Sequence, residues 1–415
     1  MRFAFASFGS LGDLHPVLAL ACEAKARGHE VVVGAATHHQ PSVEAAGLEF
    51  GLVRPEISMA PELLEYFFDL RRGPSRLLRE LVFANARESF EDLWRLGGMA
   101  DALVVGECLY GAPMAAEKLG IPWANLILAP TSFLSATDPG VLPQAKFLHR
   151  LRWFRSWFHR GVNSLGRLQT SWWARPHYQL RRSLGLAAGG NPVFDAKHSP
   201  SLTLAMFPEF FAGRQPDWPA STQICGFPFY EQPREVPENL ARFLENGEPP
   251  VVFTLGSIVA HFEPEFYHVA AQAAQELGHR AVLLTGNNTR IPQNLPASIL
   301  AVDYAPLAQI LPRAAAVVHA GGIGTCAESL RAGIPSVVMP FSFDQPDNAE
   351  RLRRLGVAEI ANRFRVSNLA SPLRRILENS DAARRARALA ARIDPRSAAS
   401  QGVDWLEKLG ADKSQ

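Results

Sequence analysis

Residues 314–335, "AAAVVHAGGIGTCAESLRAGIP", run from an apolar strand-like stretch into His319, then Gly321, Gly322 and Gly324, then a helical pattern opening at Thr325. Glycines let backbone N–H groups approach a ligand closely, and a helix start adds roughly half a positive charge, so this turn suits an anion. No Gly-Lys-Ser/Thr follows, which excludes a Walker loop, and the spacing G-x-G-x-x-G of a dinucleotide site is absent here and at the N-terminus. A tight turn that binds nothing is the plainer alternative.

The same strand, turn and helix alternation recurs along the chain. "RFAFASF" precedes a helical pattern from Val17 to Arg27 and the strand-like "EVVVGA", and the stretch from Asp101 to Pro130 repeats the scheme. After a proline- and charge-rich stretch, Asp217 to Pro250, read as an exposed connection, the alternation resumes with "PVVFTLGS", "RAVLLTG", "ILAVDYAP" and "PSVVMPF". The pattern predicts an α/β protein of two doubly wound parallel-sheet domains facing across a cleft: 1–231, then 232–390, with a tail, 391–415, packing back on the first. Ligands in such sheets bind at the carboxyl ends of the strands.

At 415 residues the chain is long enough for two cores. Its 47% apolar content and formal charge of +2 give no global reason to expect nucleic acid. The four cysteines, Cys22, Cys108, Cys225 and Cys326, are isolated and suit a reducing cytosol. Gly12, Asp13, His15 and Pro16 interrupt the N-terminal apolar stretch before a signal-peptide core forms, and no apolar run approaches the ~18 residues of a membrane span.

Two further stretches bear on chemistry. "TLGS", residues 254–257, is a second small-residue turn after a strand, and Ser257 offers a hydroxyl to the same anion. Residues 139–194 contain no Asp or Glu, yet residues 146–183 hold nine Lys/Arg and four Trp. Phe147, Leu151, Phe154, Phe158, Val162, Leu165 and Leu168 recur at helical spacing. Such a segment lines an acceptor pocket through Phe154, Trp157, Phe158 and Trp172, rests on an anionic membrane, or buries its apolar stripe as an ordinary surface helix.

Residues 304–356, "YAPLAQILPRAAAVVHAGGIGTCAESLRAGIPSVVMPFSFDQPDNAERLRRLG", resemble the nucleotide-sugar motif of the family 1, GT-B-fold glycosyltransferases, and "FGSLGDLHPVLALACEAKARGHEVVV" extends the resemblance to the N-terminus. The likeness is greatest to bacterial members acting on lipophilic acceptors: the rhamnosyltransferases of rhamnolipid synthesis and the sterol or antibiotic glycosyltransferases. It implies that His319, the backbone of Gly321, Gly322 and Gly324, and Thr325 hold a donor diphosphate. Tyr304 then stands near the base, and Asp344 and Gln345 near the sugar hydroxyls. "FDQPDN" also reads as a helix cap through Asp347 or Asn348. Glu328 lies one residue beyond the spacing at which plant members bind ribose, leaving UDP and dTDP both open.

Aligned on its Gly and Pro, "GSLGDLHP" puts Asp13 at the family's catalytic base, with His15 as the second candidate and Glu107 where plant members place the acid that orients the base. Asp13 as a helix N-cap is the bland alternative. The resemblance implies an inverting, metal-independent hexosyltransferase with no cofactor beyond a UDP- or dTDP-sugar. Its acceptor is a hydroxyl of a lipophilic molecule, and its place is the cytoplasm, with contact at the inner membrane face. A sugar-nucleotide epimerase and a non-catalytic lipid-surface or partner protein are the alternatives.

Overall fold

The computed structural model describes residues 1–56, 60–69, 71–142, 156–231, 234–259, 263, 265–286, 291–361 and 365–411. Two compact units emerge. The first comprises Met1–Ser58, Arg72–Tyr230 and Pro395–Gln415, and the second Met59–Arg71 and Glu231–Asp394.

Unit 1 is built on a seven-stranded parallel sheet: β1 (Arg2–Ala6), β2 (Glu30–Ala35), β3 (Glu49–Leu52), β4 (Ala102–Val105), β5 (Trp123–Ile127), β6 (Leu202–Ala205) and β7 (Thr222–Ile224). Their order is β3-β2-β1-β4-β5-β6-β7, so the winding direction reverses between β1 and β4. Phe3, Ala4, Phe5 and Ala6 are buried on both faces of the sheet, which is why the strand reads as an unbroken apolar run.

Unit 2 repeats the scheme with β8 (Val251–Thr254), β9 (Ala281–Leu284), β10 (Ile299–Val302), β11 (Ala316–His319), β12 (Ser336–Val338) and β13 (Ala358–Ile360). The order β10-β9-β8-β11-β12-β13 reverses between β8 and β11. In register, His319 at the carboxyl end of β11 lies beside Thr254 of β8 and Val338 of β12.

The C-terminal helix Ser397–Ala411 packs on the helix Leu11–Ala26 of unit 1, where Gly402 lets Leu20 approach: a Cβ there would lie 3.1 Å from its Cδ2. Arg27 pairs with Asp404 at 2.5 Å, and His29 meets Glu407 at 2.9 Å.

Three local expectations are corrected. The first helix begins at Leu11 rather than Val17, because Ser10 accepts from Gly12 N–H and Asp13 closes a capping box, nucleating the helix ahead of Pro16. Asp217 to Pro250 is not an exposed connection throughout: Trp218 is buried and stacks on Phe133 with ring centroids 4.0 Å apart, and Thr222–Ile224 pairs with β6.

The helix Ser156–Trp173 does not bury its apolar stripe, since Leu165 and Leu168 are exposed. Its inward side carries Trp173, packed on the core of unit 1, together with small and polar groups. Asn163 Nδ2 donates to Leu134 C=O at 2.6 Å, Gly166 sits against Phe194, and Thr170 is bonded to Asn191. Phe147, Leu151 and Phe154 lie outside the described residues.

Candidate active site

The switch point of each sheet carries the residues of interest, at the carboxyl strand ends where open α/β sheets bind ligands.

In unit 2, His319 is buried, and its Nδ1 accepts from Gly321 N–H at 3.1 Å. That bond leaves the proton on Nε2, which is itself buried with no partner among the described residues. Burial holds the imidazole down at about 3, so it is a neutral N–H donor. The following helix, Ile323–Ala332, starts at Gly322 with no side chain capping it, so its first N–H groups lack partners from within the helix.

The three glycines of the turn do different work. Gly321 has φ +90°, and a Cβ there would meet Val338 at 2.9 Å and the Gln345 carbonyl at 3.1 Å, so it is required by the fold. A Cβ on Gly322 or Gly324 would meet nothing within 4 Å, leaving open space above the helix start. A buried N–H donor, uncapped amides and clear space together have the chemistry that suits an anion.

The turn is tied to the next helix, Gln345–Arg354. Asn348 Nδ2 donates to Gly321 C=O at 3.0 Å and to Asp344 Oδ2 at 2.6 Å. Gln345 Oε1 accepts from Phe341 and Ser342 N–H, at 2.8 and 3.0 Å, so its carbonyl oxygen is committed to the loop and its NH₂ remains the group to offer a ligand. Phe343 in this loop has φ +53°, unusual for a bulky residue, and packs edge-on against Phe68. Asp347 is fully buried in an ion pair with Arg351.

Tyr304 lies half-exposed under the Arg234 guanidinium, 4.9 Å from the ring centroid. Glu328 Oε2 is held by Arg331 at 2.7 Å. Thr325 is the third residue of its helix; Ser257 belongs to the short helix Gly256–Val259 at the end of β8, and its side chain lies outside the described residues.

In unit 1, Asp13 Oδ2 accepts from Ser10 N–H at 2.7 Å and Ser10 Oγ–H at 2.8 Å. Burial, opposed by these bonds and reinforced by the charge of Glu107, pushes its carboxyl up to about 6. Asp13 is therefore not the N-cap, which is Ser10. His15, two residues on, faces elsewhere on the helix, with its ring 5.5 Å from that of Tyr230. Burial, with His39 nearby, lowers it to about 4.

Glu107, just past β4, is not hydrogen-bonded to Asp13. It accepts from Leu128 N–H at 3.2 Å and from Ser132 Oγ–H at 2.5 Å, so it acts on Asp13 through charge alone. Lys197, which donates to the Ser132 carbonyl, supplies the counter-charge. Sequence reasoning missed Lys197 and Ser132, which only the sheet order brings to Glu107. Ser10 was available to it through the S-x-x-D spacing of a capping box. Trp157 and Trp172 stand exposed on the helix Ser156–Trp173, and Phe158, beside Trp157, is half-buried.

The chain has relatives among known proteins. Residues 270–402 match the family described as erythromycin biosynthesis protein CIII-like, C-terminal domain. The chain is 34% identical over 384 residues to an O-mycaminosyltylonolide 6-deoxyallosyltransferase of Streptomyces fradiae, covering 86% of this chain and 85% of that one. A sterol 3-beta-glucosyltransferase of Komagataella phaffii is 23% identical over 443 residues, 100% of this chain and 35% of that protein.

Among solved structures, a spinosyn rhamnosyltransferase, SpnG, superposes with a TM-score of 0.72 at 21% identity, covering 98% of this chain and 100% of that one. The glycosyltransferase VinC, in complex with dTDP, does so with a TM-score of 0.69 at 21% identity, over 99% and 100%. With its two parallel-sheet units, the glycine-rich turn after His319 and a relative 34% identical over 86% of the chain, the chain belongs to the family 1, GT-B-fold glycosyltransferases of the antibiotic type.

Proposed function

We propose that this protein transfers a hexose, of glucose or rhamnose type, from a UDP- or dTDP-sugar to a hydroxyl of a lipophilic acceptor, with inversion and without metal or other cofactor. The observation that carries the reading is the buried, unpartnered Nε2–H of His319 beside an uncapped, glycine-cleared helix start. These groups offer neutral N–H donors to a diphosphate as its charge grows on leaving, the electrostatic stabilisation that a displacement needs.

Thr325 adds a hydroxyl at the helix start and Ser257 one at the end of β8. Asp344 and the Gln345 NH₂ address the sugar hydroxyls, and Tyr304 stands by the base. Asp13 removes the acceptor proton: a carboxyl held near 6 is ionised at neutral pH yet basic enough to share a proton in the transition state. Its partly buried carboxylate is a better base than His15 at about 4, and Glu107 tunes it. The acceptor hydroxyl attacks the anomeric carbon, the bond to the diphosphate oxygen breaks, and the proton passes to Asp13; one displacement inverts the anomeric centre.

Phe154 and Phe158 are the aromatic acceptor candidates. Four free cysteines suit work in the cytoplasm.

The test is a purified assay over UDP- and dTDP-sugars with hydroxy-fatty-acid, sterol, macrolide and polyphenol acceptors. Products are read by mass spectrometry, their anomeric configuration by NMR, and turnover is repeated with a chelator. A glycoside of inverted configuration, formed equally with chelator present, is the expected result. A sugar altered without acceptor points to epimerisation, and no turnover with any pair sinks the transferase reading.

A further inference from the structure

The helix Ser156–Trp173 presents an apolar face to solvent. Trp157 is 66% exposed, Leu165 71%, Leu168 73% and Trp172 53%. Gly161 and Ser164 fall on the same side, so positions 157, 161, 164/165, 168 and 172 form one continuous stripe at helical spacing. The opposite side holds the polar and small contacts of Asn163, Gly166 and Thr170 that seat the helix on unit 1. A helix seated through Trp173 and these polar contacts, yet presenting Trp157, Leu165, Leu168 and Trp172 to solvent, is built to meet something beyond this chain.

Charge tells what. Arg160 and Arg167 flank the stripe, and Arg79 and Arg175 hold their guanidinium groups over the Trp172 ring, 5.6 and 5.7 Å from its centroid. Asp195 pairs with Arg167, but Arg79, Arg160 and Arg175 have no acidic partner among the described residues. The stripe runs about 22 Å from Trp157 to Trp172, longer than one small acceptor reaches. Tryptophans at both ends, leucines between and unpaired arginines alongside match an interfacial helix lying flat on a negatively charged lipid surface. No helix of the described residues is long and apolar enough to cross a membrane.

We propose that this face docks the protein on an anionic membrane. Docking is independent of glycosyl transfer and is read without turnover, so its failure and that of the transferase reading are separate results.

The test is co-sedimentation of the full chain with vesicles of phosphatidylcholine alone and of equimolar phosphatidylcholine and phosphatidylglycerol. The protein is expected to pellet with the mixed vesicles, to be released by salt and to stay in solution with phosphatidylcholine. The double variant Leu165→Glu/Leu168→Glu, both positions being exposed and so harmless to folding, is expected to lose at least about tenfold in partitioning. Leu52→Glu, at an exposed leucine elsewhere, is expected to bind as the unsubstituted protein does. No pelleting of the unsubstituted protein with mixed vesicles overturns the proposal, as does a double variant that binds them undiminished.

Discussion

Ionising Asp13 costs the folded chain free energy, because its carboxyl lies at about 6 when folded against 3.8 in its ordinary state. The folded state favours the protonated form, so the penalty is absent below pH 3.8 and complete above about 6. Asp13→Asn removes it. At neutral pH the variant is expected to be more stable by about 1–2 kcal/mol, allowing for partial exposure, while its kcat falls by roughly 10²–10⁴-fold. In the unsubstituted enzyme kcat/KM is expected to rise with pH through about 6, and that limb vanishes in the variant. Persistence of the limb removes Asp13 from the role of base. Lys197→Met leaves the Glu107 charge uncompensated, so the limb is expected at higher pH, with the fold retained by circular dichroism.

At the scale of elements, the turn after β11 separates a glycine that the fold requires from glycines that face open space. Gly321→Ala forces a side chain into a positive-φ position against Val338 and the Gln345 backbone, and is expected to cost about 2–4 kcal/mol in chemical denaturation. Gly322→Ala adds a methyl to open space and is expected to leave stability within about 0.5 kcal/mol while raising the donor KM. Equal destabilisation by both speaks against a cradle. The turn itself was readable, since an apolar run, clustered glycines and a helical pattern are local signals. The helix Ser156–Trp173 was readable only as a helix: periodicity gives the stripe but not which side faces the core, and here Asn163, Gly166 and Thr170 won the inward side through Leu134, Phe194 and Asn191.

For the whole molecule, the C-terminal segment is part of unit 1 although it follows unit 2 in the chain. The helix Ser397–Ala411 buries Ala398, Val403, Leu406 and Leu409, and its acids pair with Arg27 and His29. Deleting residues 395–415 is expected to cost unit 1 about 5 kcal/mol by the loss of these side chains. Hydrogen exchange read by mass spectrometry is expected to lose protection in Leu11–Ala26 while β8 and β11 keep theirs. Uniform loss across both sheets contradicts this division of stability.

The sequence by itself determined the two rounds of strand and helix, the anion-suited turn at His319 and the acidic helix start at Asp13, because each is written in neighbouring residues. Tertiary structure alone decided what those groups can do. The parallel sheet of unit 1 sets β4 beside β1 and β5 and β6 beyond it in turn, gathering Asp13, Glu107, Ser132 and Lys197 from separate parts of the chain. Packing around β11 buries His319 and leaves its Nε2–H without a partner, and the seating of one helix turns tryptophan and leucine outward. Burial and the pairing of distant charges are long-range quantities, and no local pattern of residue types encodes them.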